Sequence, residues 1–243
     1  MSCPAPPYVF SGPGYALGMW RETSGAANVL VWTDPYKPPL TFDMGSFFPV
    51  GYVDRAGLVG QGRRDREHVS IVVPAGASVS EGVRSPKGWL ASECVGDRGL
   101  TVCEADGPPR CLVLAKVPEW REVSRVTVQP DTGRAYARIG GDGRIVVLAV
   151  RMWSTSRERP CYAWVLQPPD YDWVSLALQG EPAQLIGVEG DRVYLIEDEY
   201  TEQLGPRVEE TRLTEWRIAP STAGLHGSRQ KTLLAARWLV GSK

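Results

Sequence analysis

Apolar residues recur at every second position in short runs along this chain, and Gly, Pro or Asp bounds most of the runs. Asn28–Trp32, His68–Val73, Arg110–Val117, Arg125–Gln129, Arg134–Ile139, Arg144–Val150, Tyr162–Gln167, Trp173–Leu178 and Arg192–Ile196 all read this way. About sixteen such segments follow one another at roughly ten-residue spacing, the pattern of consecutive strands and turns. A period of two sends alternate side chains to opposite faces of a sheet. The chain is therefore predicted to be all-β and antiparallel, as a barrel, a propeller or packed sandwiches. One segment reads two ways. Ser228–Val240 places Leu234 and Trp238 on one helical face among good helix formers, and the same residues also fit a strand.

The chain has 243 residues, and all-β domains often reach that length as one unit. Its first 50 residues hold a cluster of Pro and Gly, and Pro removes a ladder donor. The expected organisation is an extended N-terminal arm over residues 1–14 and a single all-β domain over 15–243, with a sub-boundary near residue 90. The arm is expected to lie across a partner and to bury Tyr8, Val9 and Phe10.

A repeat runs through the remainder. Asp97-Arg98-Gly99-Leu100-Thr101-Val102, Asp142-Gly143-Arg144-Ile145-Val146-Val147 and Asp191-Arg192-Val193-Tyr194-Leu195-Ile196 resemble one another. Each Asp follows a Gly (Gly96, Gly141, Gly190), and Gly-Asp before an apolar run is hairpin-turn chemistry. Trp120, Trp164 and Trp216 follow the three turns and are expected at equivalent, buried positions. A fainter copy, without the Trp, starts at Asp54. A period near 45 with this order of turn, apolar strand and Trp-bearing strand resembles a β-propeller blade of the WD-repeat or kelch kind, best over residues 90–220. The resemblance implies about five blades. Packed β-sandwiches are the alternative.

The net charge of −1 argues against a general nucleic-acid binder, which carries a basic face. No run of eighteen apolar residues is present, and the first residues lack the features of a signal peptide. Synthesis in the cytoplasm, with no membrane partner, is the expectation. The five cysteines show no zinc-knuckle spacing. The gaps from Cys94 to Cys103 and from Cys103 to Cys111 suit hairpins. Buried free thiols are expected, with one disulfide or a metal as alternatives.

Candidate chemistry is sparse. His68 and His226 are the two histidines, and no Gly-x-Ser-x-Gly elbow accompanies them. Gly140-Gly141-Asp142-Gly143 places an acid where phosphates would sit, so a turn is expected there. Arg63-Arg64-Asp65-Arg66-Glu67 is a basic loop with its own counterions. Glu197, Asp198, Glu199, Glu202, Glu209, Glu210 and Glu215 form an acidic group, but adjacent acids on a strand point to opposite faces. Pro168-Pro169-Asp170-Tyr171-Asp172-Trp173 is a stiffened loop expected to present Tyr171 and Trp173 as contact anchors.

No catalytic, cofactor-binding or metal-binding residue is assigned from the sequence. The binding candidates are Tyr171, Trp173, Tyr8 and Phe10. The expected function is that of a non-enzymatic structural or binding subunit of a larger protein assembly, such as a tailed-phage virion, with other protein subunits as partners. The alternatives are a monomeric propeller binding a glycan or protein, and a carboxylate-based glycoside hydrolase.

Overall fold

In the computed structural model, the residues described are 8–12, 14–21, 27–64, 67–103, 110–128, 132–151, 161–178, 180, 182–201, 207–222 and 224–237. They form twenty strands and one short 3-10 turn, Val79–Glu81. Among the described residues no helix is long and apolar enough to cross a membrane. The strands fall into five consecutive antiparallel four-stranded meanders. Sheet 1 comprises β1 (Tyr8–Gly12), β2 (Tyr15–Arg21), β3 (Ala27–Trp32) and β4 (Leu40–Asp43). Sheet 2 comprises β5 (Phe48–Val53), β6 (Gly57–Arg64), β7 (Glu67–Val73) and β8 (Val83–Arg84). Sheet 3 comprises β9 (Trp89–Val95), β10 (Arg98–Cys103), β11 (Arg110–Lys116) and β12 (Arg121–Val128). Sheet 4 comprises β13 (Thr132–Ile139), β14 (Ile145–Arg151), β15 (Cys161–Gln167) and β16 (Asp172–Leu178). Sheet 5 comprises β17 (Pro182–Glu189), β18 (Arg192–Thr201), β19 (Arg207–Ser221) and β20 (Gly224–Arg237).

The repeated Gly-Asp pairs mark the first hairpin of successive sheets. Gly96-Asp97 joins β9 to β10 and Gly190-Asp191 joins β17 to β18, each as a two-residue loop. Gly96 and Gly190 carry φ of 59° and 58°, the conformation a two-residue hairpin with Gly at its first central position requires. The β13–β14 turn is longer. It closes through Gly140 N–H to the Arg144 carbonyl, and Asp142 Oδ1 accepts the Arg144 N–H. The faint copy at Asp54 occupies the same place, between β5 and β6.

The chain divides into two compact units, Met1–Val128 and Gln129–Lys243. The sub-boundary expected near residue 90 falls between sheets 2 and 3, inside the first unit. Within that unit one core joins sheets 1 and 2 through Leu17, Met19, Val29, Val31, Phe42, Leu58, Ile71 and Val73. A second core joins sheets 2 and 3 through Val53, Val59, Val72, Cys94, Val113, Ala115 and Trp120. Sheet 2 is thus buried on both faces, which is why Ile71-Val72-Val73 is a continuous apolar run and not an alternating one. Ser70 lies in this interior and is fully bonded. Its N–H donates to Ser85 Oγ, its carbonyl accepts from Ser85 N–H, and its Oγ accepts from Ala91 N–H.

In the second unit sheets 4 and 5 are one eight-stranded sheet. Its halves meet where β16 pairs with β20 in parallel, Leu176 opposite Leu225 and Leu178 opposite Gly227. They enclose one core that includes Leu148, Val165, Leu176, Leu185, Val193, Leu195 and Trp216. A Cβ on Gly227 would stand 2.6 Å from Leu178 Cδ2, so a larger residue there requires the Leu178 side chain to move aside.

Of the two readings of Ser228–Val240, the strand holds as far as Arg237, where the described residues end: these residues extend β20, because β19 supplies a partner strand along it. Two expectations are corrected here. Tyr8–Gly12 is not part of a detached arm but edge strand β1, paired with β2 from Tyr8 opposite Met19 to Gly12 opposite Tyr15. The side chains of Tyr8 and Phe10, and residues 1–7, lie outside what is described. Trp120, Trp164 and Trp216 are all buried, yet they are not equivalent. Trp120 sits in the β11–β12 turn at φ 54°, whereas Trp164 and Trp216 are on strands. Trp216 belongs to the core of the second unit, and Trp164 belongs to the opposite face of sheet 4 from Val165.

Candidate functional site

Three groups of residues in the second unit are candidates for function. The first is aromatic. On β15 the alternation puts Tyr162 and Trp164 on one face, with rings stacked at 6.2 Å and an interplanar angle of 24°. Register pairs Leu166 with Trp173 and Trp164 with Ser175, so Trp173 is the diagonal neighbour of Trp164 on the same face. Their rings meet edge to face at 5.7 Å and 83°. Tyr162 and Trp173 are half-buried and Trp164 is buried. The result is a ledge of three rings, of the kind that packs against a sugar ring or an apolar side chain.

The Pro168–Tyr171 loop does not present Tyr171. Tyr171 has φ 56°, its N–H donates to the Gln167 carbonyl at 2.8 Å, and only 7% of the residue is exposed. The left-handed turn swings the ring inward. Trp173 is the loop's aromatic that retains exposure. Trp173 was a candidate from the sequence, whereas Tyr162 and Trp164, whose rings adjoin it on this face, were not. Their i, i+2 spacing on one predicted strand was the available signal, and the register to β16 was not.

The second group is the acidic one, and the described carboxylates are partnered. Glu197 Oε2 meets Arg229 Nη1 at 3.3 Å, while its neighbour Asp198 accepts from Thr211 Oγ1 at 2.8 Å. Glu215 lies between Arg192 at 4.0 Å and Lys231 at 3.3 Å. Glu210 pairs with Arg212, and Asp191 with Arg217 at 2.6 Å. The hydrogen bond from Arg217 holds the Asp191 carboxyl below the usual range. The bond from Tyr194 to Glu189 pushes the Tyr194 phenol up. Glu197 and Asp198 are successive residues on one strand and take partners on opposite faces, so they cannot flank a single glycosidic bond as a carboxylate pair must. Glu202 and the side chains of Glu199 and Glu209 lie outside the described residues. Among the described residues no three His, Cys, Asp or Glu side chains gather as a metal site would require. In the first unit, His68 Nε2 accepts from Arg63 Nε at 2.8 Å, which occupies the imidazole lone pair.

The third group is β20 itself. It pairs with β16 only over Leu225–Gly227 and with β19 along its full length. Beyond Gly227 its second edge has no strand partner among the described residues. Every residue from Ser228 to Ala236 is exposed. Leu233 and Leu234 are 43% and 65% exposed. The pairing slips between Leu213 and Thr214 and again between Glu215 and Trp216, placing bulges beside Leu233 and Gln230.

No family model matches this chain, and no curated protein matches it. Solved structures do. The chain is similar to the β-propeller domain of the Trilobed protease from Pyrococcus furiosus, at 9% identity, over 89% of this chain and 70% of that one, with a TM-score of 0.52. It is also similar to an acylaminoacyl peptidase, at 10% identity over 91% of this chain and 52% of that one, with a TM-score of 0.45. A putative 6-phosphogluconolactonase from Bacteroides fragilis gives 9% identity, 95% and 72% coverage, and a TM-score of 0.45. The chain spans about half the length of that peptidase. At such identities the likeness is one of fold, and fold alone does not fix an activity. The five four-stranded meanders and this likeness define an all-β, antiparallel protein of β-propeller type. The sequence-level resemblance to propeller blades is therefore matched by the structure.

Proposed function

We propose that this chain is a non-catalytic subunit of a larger protein assembly and docks through the β20 edge. The observation that carries the reading is the exposed stretch Ser228–Ala236 on the outer strand of the long β19–β20 hairpin. An open edge presents unpaired backbone N–H and C=O groups that template pairing with another strand. Proteins blunt such edges with charge and bulges. Here Arg229 and Lys231 charge the first part of the stretch, whereas Leu233-Leu234-Ala235-Ala236 carries no charge at all. An extended segment of a partner subunit, added alongside this uncharged part, would gain main-chain hydrogen bonds and cover Leu233 and Leu234. The partnered state of the described carboxylates supports binding over glycoside hydrolysis. A particle such as a tailed-phage virion is one setting in which such a subunit would work.

Light scattering of the purified chain, alone and mixed with the products of neighbouring genes, tests the proposal. A complex heavier than the single chain is expected with at least one of them. The double variant Leu233→Lys/Leu234→Lys should lose it while keeping its thermal unfolding midpoint. A chain that stays monomeric in every mixture, or a complex that the double variant leaves intact, would refute the docking edge.

A further inference from the structure

Three cysteines lie in one region of the first unit, and register separates their roles. Cys103 and Cys111 face each other as the last pair of the β10–β11 hairpin. Cys94 is opposite Gly99, near the other end of β10. Directly opposed residues on antiparallel strands point to the same face, with Cα atoms about 4.5–5.5 Å apart. That lies inside the Cα range of about 4.4–6.8 Å that a disulfide spans. The core between sheets 2 and 3 agrees: Cys103 belongs to it and Cys111 packs against it.

We propose that Cys103 and Cys111 are a redox-active dithiol, converted reversibly to an intramolecular disulfide by a low-molecular-weight disulfide such as oxidised glutathione. The site is independent of the docking edge, and neither reading rests on the other.

The two thiols divide the work. Cys111 is half-buried and Cys103 is buried, so Cys111 is the one a soluble oxidant meets first. Burial, with Cys111 as neighbour, pushes the Cys103 thiol up to about 11, as suits a resolving thiol held protonated. The Arg125 guanidinium, bonded to Glu122, is close enough to interact with both sulfurs. The Cys111 thiolate attacks one sulfur of glutathione disulfide, forms a mixed disulfide and expels one glutathione. Cys103 then gives up its proton, attacks the Cys111 sulfur and expels the second. Two cysteine thiols become one disulfide, glutathione disulfide becomes two glutathione molecules, and the two protons pass from the cysteines to them.

The bond is expected to be labile. Opposed Cβ atoms sit about 4.5–5.5 Å apart, whereas a disulfide holds them near 3.8 Å. The strands must be drawn together, and a strained bond is more easily reduced. Cys94, fully buried, has its thiol pushed far up by desolvation and faces Gly99, so it takes no part.

Trypsin reads the pairing directly, because Arg110 separates the two cysteines. The full chain is equilibrated with oxidised glutathione, blocked with N-ethylmaleimide and digested without reduction. The expected product is peptide 99–110 joined to peptide 111–116, two hydrogen masses lighter than their sum. Excess reduced glutathione should remove it. Cys103→Ser should leave glutathione trapped on Cys111, and Cys111→Ser should leave Cys103 unmodified. Free Cys103 and Cys111 under oxidation that modifies another cysteine would overturn the proposal. So would linkage of either one to Cys3, Cys94 or Cys161, or a bond that excess glutathione leaves intact.

Discussion

At the scale of single residues, polar handles settle where the tryptophans sit. Trp216 is 1% exposed, and its indole N–H donates to Thr214 Oγ1 at 2.9 Å. That hydroxyl in turn donates to the Leu195 carbonyl. The ring thus fills the second unit's core without leaving a buried donor unpaired. Trp216→Ala removes the ring and the bond it donates to Thr214, whose hydroxyl keeps only the Leu195 carbonyl. A loss of about 3–5 kcal/mol is expected in denaturant unfolding, and a loss below about 1 kcal/mol would mean that the core does not depend on the ring. Trp120 uses a different device, donating to the Val83 carbonyl at 3.1 Å from a left-handed turn position. The two were indistinguishable in the sequence, because each simply follows a Gly-Asp turn by a similar interval. Tyr171 shows the same limit. A Pro-rich loop reads as exposed, and nothing local reveals the left-handed φ that turns the ring inward.

At the scale of elements, what was legible was what depends on local pattern. The alternating runs became strands, and the Gly-Asp turns became the first hairpins of their sheets. What was not legible depends on a partner strand. Ser228–Arg237 carries helix formers, and only β19 alongside it decides for a strand, since tertiary pairing overrides a propensity of tenths of a kcal/mol. The parallel β16–β20 junction was equally hidden, although Gly224 and Gly227 mark it. Gly224 has φ 128°, and a Cβ there would lie 3.0 Å from the Ser175 carbonyl oxygen. Gly227→Val would drive a branched side chain into Leu178, displacing that side chain and loosening the junction. Faster amide exchange at Leu176–Leu178 and Leu225–Gly227 is expected, with the sheet 4 hairpin β14–β15 left protected. Unchanged exchange at the junction would show that it has room to spare.

At the scale of the whole molecule, five meanders of four strands account for a chain without an α-helix among its described residues. Each sheet has apolar residues on faces it cannot cover alone, and within each unit a neighbouring sheet covers them. β20 beyond Gly227, exposed from Ser228 to Ala236, is the open edge on which the functional reading rests. Hydrogen exchange resolved along β19 and β20, in the free chain and in its complex, tests that reading most directly. The account predicts rapid exchange over Leu233–Ala236 in the free chain and strong protection of the same residues in the complex, with Glu210–Trp216 slow in both. A complex that forms while Leu233–Ala236 exchanges as fast as before would contradict it.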